Sequence, residues 1–174
     1  DLDGAYASGA NRYGIRLTGS TALTGNVLVE TSGNILAEGS GSRAVSIERA
    51  LTGNLTNSGT LRAVGNNAVA LAATGNISGA VNISGNVTAL GDGAGAVSMQ
   101  GDVGGRLTIQ GTMASTGYRY STRPTAAQIA KLDSDDLLQG GSTVVIAGNV
   151  AGGVVLDARP ADNDPANADE DADG

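Results

Sequence analysis

The chain has no cysteine, no histidine, no tryptophan and no phenylalanine, and each absence removes a class of chemistry. Without cysteine there is no disulfide framework and no thiolate metal site. Without histidine the common zinc and haem ligands and the nucleophile–base pairs are gone as well. Four tyrosines are the whole aromatic content, so an interior must be filled by Val, Ile, Leu, Ala and Met, a set that suits stacked aliphatic layers. Proline is held to three residues and charged residues to 16%, while 40% of the chain is apolar, too much for a disordered linker. No stretch approaches the ~18 uninterrupted apolar residues of a membrane-spanning helix. The opening Asp1-Leu2-Asp3-Gly4 is no signal peptide, and a start in mid-pattern reads as a piece of a longer exported protein.

Charge is unevenly placed. Of the formal net charge of −7, residues 157–174 carry −6 and the remaining body only −1. A nearly neutral body offers no basic stripe for phosphates, which excludes nucleic acid as the expected partner.

What the chain does have is glycine, 28 residues of it, and a repeat. The pattern Gly-(Asn/Thr)-aliphatic-x-(Ala/Ser)-x-Gly begins at Gly33, Gly59, Gly85 and Gly111, each copy 26 residues after the last. Inside each copy the aliphatic and the small residue are two apart, which is strand periodicity. Ile35, Leu61, Val87 and Met113 are expected to fill one inward column, and Ala37, Ala63, Ala89 and Ser115 a narrower one. Val29, Leu55, Val81 and Leu107 share the period and mark a second strand. A third strand is read from Ile15/Leu17, Val45/Ile47, Val69/Leu71, Val97/Met99 and Val144/Ile146. Its distance from the preceding glycine varies by two residues, which predicts an elastic corner. Another corner is read from Gly-(Asn/Asp)-aliphatic at Gly25, Gly53, Gly75, Gly101 and Gly148, with stacked Asn side chains as a ladder.

Three short strands and three turns per 26 residues describe an all-β, right-handed parallel β-helix. A β-sandwich also uses short strands but has no reason to hold one side-chain class at a fixed spacing. The division is coils over 1–117, an insertion over 118–141, a final coil over 142–158 and an acidic tail over 159–174. Within the insertion, Thr125 and Gln128 form a capping box that predicts a short helix near 126–132, and Ile129, Leu132, Leu137 and Leu138 read as a flap over the core.

In the tail, Asp169, Asp171 and Asp173 followed by Gly174 match the first half of a calcium loop, and calcium is the one cofactor expected; a solvated acidic linker is the other reading. In the body, Glu30, Glu38, Glu48, Asp92 and Asp102 fall at different phases of the repeat, so no catalytic carboxylate pair is expected. Arg12, Arg16, Arg43, Arg49, Arg62 and Arg106 likewise form no column.

Thr122-Arg123-Pro124-Thr125-Ala126, Asp135-Asp136-Leu137-Leu138-Gln139-Gly140-Gly141 and Ile146-Ala147-Gly148-Asn149-Val150-Ala151-Gly152-Gly153-Val154, followed by an Asp-rich segment, resemble passenger regions of autotransporter-domain outer-membrane proteins. The resemblance implies export, presentation at the cell surface, and a translocating barrel outside this sequence as the one membrane attachment. It implies no single activity. The expectation is therefore a non-enzymatic structural or adhesive surface segment, with a surface glycan, a cell or neighbouring passenger segments as partners. Self-assembly into a filament or surface layer is the alternative, and a polysaccharide-cleaving enzyme comes last.

Overall fold

The computed structural model describes residues 9–117, 125–131 and 140–158. Its strands are β1 (Tyr13–Leu17), β2 (Leu23–Thr24), β3 (Val27–Val29), β4 (Asn34–Glu38), β5 (Arg43–Ile47), β6 (Leu51–Thr52), β7 (Leu55–Asn57) and β8 (Thr60–Val64). There follow β9 (Val69–Ala73), β10 (Val81–Ile83), β11 (Asn86–Leu90), β12 (Gly95–Met99), β13 (Leu107–Ile109), β14 (Met113–Thr116), β15 (Val144–Ile146) and β16 (Val154–Leu156). A single helical turn, α1 (Ala126–Ile129), sits between β14 and β15.

Every strand pairs in parallel with its counterpart one coil away. Sheet 1 runs β1-β5-β9-β12-β15, sheet 2 runs β3-β7-β10-β13-β16, and sheet 3 runs β4-β8-β11-β14. The molecule is a right-handed parallel β-helix with three main strands per coil, as the repeat implied. A minor ladder, β2–β6 continued by single bridges at Ile77, Val103 and Val150, lies at the corner before sheet 2.

The reason for this fold is burial. Leu61 and Val87 are fully buried on sheet 3, Leu55, Val81 and Leu107 on sheet 2, and Val45, Leu71 and Val97 on sheet 1, so the three inner faces meet in one aliphatic core. Each such side chain contributes about 1.5–3 kcal/mol. On sheet 1 the core gains an extra layer: Ala44, Ala70 and Ala96 are buried beside their neighbours. There the Ala96 and Val97 N–H groups both donate to the Thr143 carbonyl, a bulge that turns two successive residues inward.

The register on sheet 3 follows the 26-residue spacing without exception: Ile35–Leu61–Val87–Met113 and Ala37–Ala63–Ala89–Ser115 stack as columns. On the other two sheets the first coil departs from it. Tyr13 pairs with Arg43 at a spacing of 30, and Val27 with Leu55 at 28. The first coil therefore has two residues more between β1 and β2, and two more between β3 and β4, where Gly33 closes a turn onto the Glu30 carbonyl. Consequently Val27, not Val29, heads the column of Leu55, Val81 and Leu107, and Val29 stacks on Asn57.

The corner before sheet 1 is also different from its sequence reading. Leu71 and Ala73, rather than Val69 and Leu71, align with Val45 and Ile47. With that alignment Gly39, Gly65 and Gly91 open turns of one length, each closed by an N–H three residues on. The corner is constant in these coils, and length changes only where the insertion enters: Val97 pairs with Val144 at a spacing of 47.

One core position is out of character. Asn57 is fully buried in the column of Val29, Ile83 and Ile109, and its Oδ1 accepts no hydrogen bond. Its Nδ2 donates only a long bond, 3.4 Å, to the Gly59 carbonyl. Leaving a buried acceptor unmade costs about 1–3 kcal/mol. Asn57→Val is accordingly expected to raise the urea midpoint, by about 1 kcal/mol in stability. A lower midpoint would mean the amide is satisfied in solution.

Candidate functional surface

The corners carry most of the polar organisation. The five Gly-(Asn/Asp) turns are not one corner but two. Asn26 Oδ1 accepts from the Asn54 N–H at 2.9 Å, and Asn54 Oδ1 from the Ala80 N–H at 2.8 Å, forming a ladder at the start of sheet 2. Separately, Asn76 Oδ1 accepts from the Asp102 N–H at 3.0 Å and Asp102 Oδ1 from the Asn149 N–H at 2.8 Å. The ladder is thus mainly side chain to backbone, each Asx residue capping the coil that follows it.

The third corner holds a left-handed ladder in which Asn and Gly alternate: Asn11 (φ 52°), Gly41 (φ 67°), Asn67 (φ 56°) and Gly93 (φ 66°). A Cβ on Gly41 would lie 2.7 Å from Asn11 Oδ1, and one on Gly93 would lie 2.6 Å from Asn67 Oδ1. The asparagine side chain occupies the space that the next coil's glycine leaves, so the alternation is a packing requirement as well as a φ requirement.

Of the carboxylates considered as chemistry, Asp102 is committed to its ladder, and Glu38 closes β4 in the same column as Val64 and Leu90. Asp92 stacks on Asn66, its N–H donating to Asn66 Oδ1 at 3.2 Å. Among the described residues no three acidic groups come together to hold a metal. Asp169, Asp171 and Asp173 lie outside the described residues, as do Leu132, Leu137 and Leu138. The capping box is present: the Thr125 hydroxyl accepts from the Gln128 N–H, and the Gln128 side chain accepts from the Thr125 N–H. The helix is shorter than its sequence reading and buries no residue, so the packing expected of the flap is not found in α1.

The arginines are closer together than the repeat suggested. On the outer face of the first two coils, the Arg16 guanidinium stands 4.5 Å from the Tyr13 ring centroid, and that of Arg43 5.9 Å away. Arg43 donates to the Tyr13 hydroxyl and to the Gly41 carbonyl. Arg16 grips Glu48 with two hydrogen bonds of 2.9 Å, and the Ser46 hydroxyl adds a third to the same carboxylate. Arg12 and Tyr13 line a shallow recess of about 140 Å³ with Leu36, Ala37 and Glu38. Two-residue alternation could not disclose this cluster, because the partners are 30 and 32 residues apart across the first coil, which is longer than the 26-residue period.

The hydrogen bonds from Arg16, and then from Ser46, hold Glu48 below the usual glutamate range. A carboxylate with a lowered folded-state pKa adds stability above its unfolded pKa and loses it as pH falls through the folded value. The Glu48 contribution is therefore present at neutral pH and disappears on acidification below the ordinary glutamate range. Arg16→Gln is expected to move the Glu48 midpoint upward in a carboxyl NMR titration. An unmoved midpoint would place the cause elsewhere.

At the ends of the stack the inner columns come to the surface. Leu156, Val154 and Ile146 are 70%, 43% and 36% exposed, whereas Ile109, Leu107 and Met99 beneath them are 5% or less. At the opposite end Ile15 is 39% exposed.

No helix among the described residues is long and apolar enough to cross a membrane, which leaves β-barrels untouched. Compared with protein-family models, with curated proteins and with solved structures, the chain matches none.

Proposed function

We propose that the chain is a cell-surface scaffold, a structural or adhesive β-helical segment of an exported passenger of the autotransporter type, with no reaction of its own. The observation behind this reading is the unbroken parallel register of three sheets, which makes a stiff prism from short, inexpensive strands. Stacking at ~4.8 Å per coil separates the outermost strands of sheets 1 and 2 by about 19 Å. Outward positions are mostly small or polar; on sheet 2 they run Leu28, Thr56, Asn82, Thr108 and Val155. Such a flat strip suits broad, shallow contact with a surface glycan or a neighbouring cell, not the enclosure of a small substrate.

The sequence blocks near the insertion and the last coil support the passenger assignment, and membrane attachment in that scheme belongs to a barrel that this sequence does not include. Calcium binding by Asp169, Asp171 and Asp173 is part of the same proposal.

Purified protein applied to a glycan panel and to cells tests the adhesive role. Binding that is lost in Thr56→Arg/Asn82→Arg, with an unchanged melting temperature, supports it. Turnover of a glycan that depends on one carboxylate, or retention on no surface at all, overturns it. For the tail, calcium should raise the melting temperature of the parent chain and leave Asp169→Asn/Asp171→Asn/Asp173→Asn unaffected.

A further inference from the structure

We propose that Asn86 is the attachment point of an N-linked sugar, added by a separate transferase from a sugar activated as its diphosphate. The inference goes beyond the scaffold reading and concerns a different face of the prism.

The acceptor pattern for such a sugar is Asn-x-(Ser/Thr), in which the hydroxyl two residues on is recognised together with the asparagine. The chain has four copies: Asn54-Leu55-Thr56, Asn76-Ile77-Ser78, Asn82-Ile83-Ser84 and Asn86-Val87-Thr88. Gly-Asn turns and two-residue alternation generate such triplets freely, so the pattern alone selects none of them.

Hydrogen bonding separates them. Asn54 Oδ1 accepts from the Ala80 N–H and Asn54 Nδ2 donates to Asn26 Oδ1, while Asn76 Oδ1 accepts from the Asp102 N–H. Both carboxamides are thus members of the corner ladders, which account for them. In the third triplet the Ser84 hydroxyl donates to the Ser58 hydroxyl at 3.2 Å. Among the described residues, only the fourth triplet keeps both groups free: neither the Asn86 carboxamide nor the Thr88 hydroxyl makes a hydrogen bond.

The strand presents these two groups together. Asn86 opens β11, and alternation puts Asn86 and Thr88 on the outer face of sheet 3 while Val87 is fully buried between them. Asn86 is exposed and its register partner on the preceding coil is the small Thr60, so a bulky group on Nδ2 has room to extend into solvent. Asparagine is depleted in strands, and here its carboxamide returns no hydrogen bond for that cost. Asn34 is a built-in control: it stands in the same column two coils earlier and is equally exposed, but Leu36 takes the place of the hydroxyl.

The transfer is a substitution at the anomeric carbon of the sugar. Asn86 Nδ2 forms the new C–N bond, the bond from that carbon to the diphosphate oxygen breaks, and the diphosphate leaves with the electron pair. The amide proton passes to a base of the transferase, and nothing is oxidised or reduced. The product is a bulky, solubilising group on the surface.

Mass spectrometry of the chain made in its own cells decides the matter. One sugar adduct is expected, placed on Asn86 by fragmentation, with Asn34, Asn54, Asn76 and Asn82 unmodified. Asn86→Gln and Thr88→Ala each remove it completely, whereas Thr88→Ser, which keeps the hydroxyl, retains it. Should Asn86→Gln fail the melting control, Asn86→Thr serves the same purpose with the residue that its neighbour Thr60 already supplies. An unmodified Asn86 overturns the proposal, and so does an adduct that survives Thr88→Ala. An adduct on Asn54, Asn76 or Asn82 overturns it as well, because free hydrogen-bonding groups would then not select the site. Either outcome leaves the adhesive strip on sheet 2 to its own test.

Discussion

Gly85→Ala is expected to destabilise the protein by about 3 kcal/mol, the upper end of what overpacking costs, or to prevent folding. Gly33, Gly59, Gly85 and Gly111 stack at the corner between sheets 2 and 3, where successive coils approach backbone to backbone. A Cβ on Gly85 would fall well inside 3.0 Å of both the Gly59 carbonyl oxygen and the Ser58 carbonyl carbon. Neither atom can move independently: Gly59 O accepts from the Asn86 N–H, and the flanking Gly85 N–H is bonded to Asn57 O. The added methyl must therefore push two coils apart or break the turn. Gly95→Ala is the control. Its Cβ would meet only the Ser142 carbonyl, at 3.1 Å, and its register partners Arg43 and Val69 already carry side chains at that position. Its effect should stay below about 1 kcal/mol in a denaturant titration. Equal losses in the two variants would mean that close backbone approach does not set the glycine column.

Leu61→Ala is expected to cost about 2–5 kcal/mol, because Leu61 is fully buried between Ile35 and Val87 and both neighbours are locked in register. Leu36→Ala, one coil earlier and one residue out of phase, removes a half-exposed side chain from the outer face and should cost under about 0.5 kcal/mol. Ile35→Ala should fall between them: Ile35 is in the Leu61 column but on the first coil, with one side only partly covered. In a stack where each coil touches only its neighbours, the cost of a cavity depends on having a coil on either side. Denaturant midpoints for the three variants test this order.

These effects were unevenly legible in the sequence, for physical reasons. Sheet 3 could be read outright, since its glycines, aliphatics and alanines keep one spacing from Ile35 to Ser115. Val27 and Val29 are both valine, so two extra residues in the first coil left no visible mark on the hydropathy pattern while shifting which of them faces Leu55. Val69 reads as an inward residue because it is apolar; its partners in register, Arg43 and Gly95, share no property with it that a pattern could carry. Asn57 carries no mark of burial in the sequence, and only the register places it among Val29, Ile83 and Ile109. The Arg–Tyr cluster needed the length of the first coil before its members could be seen as neighbours. The stacked aliphatics thus encode the fold, and the surface groups that bear on function depend on loop lengths, which no periodicity specifies.

Everything proposed for this chain is built on coils stacked in one register, and the absence of native cysteine allows a direct test. Thr56 and Asn82 pair across β7 and β10 on the outer face of sheet 2, and adjacent parallel strands ~4.8 Å apart bring their Cα atoms within the span that a disulfide bridges. Thr56→Cys/Asn82→Cys is expected to form an intramolecular disulfide on mild oxidation, read by mass and by a mobility shift that reductant reverses. Thr56→Cys/Thr108→Cys, two coils apart, should remain reduced under the same conditions. A disulfide in the second pair and none in the first would contradict the stack.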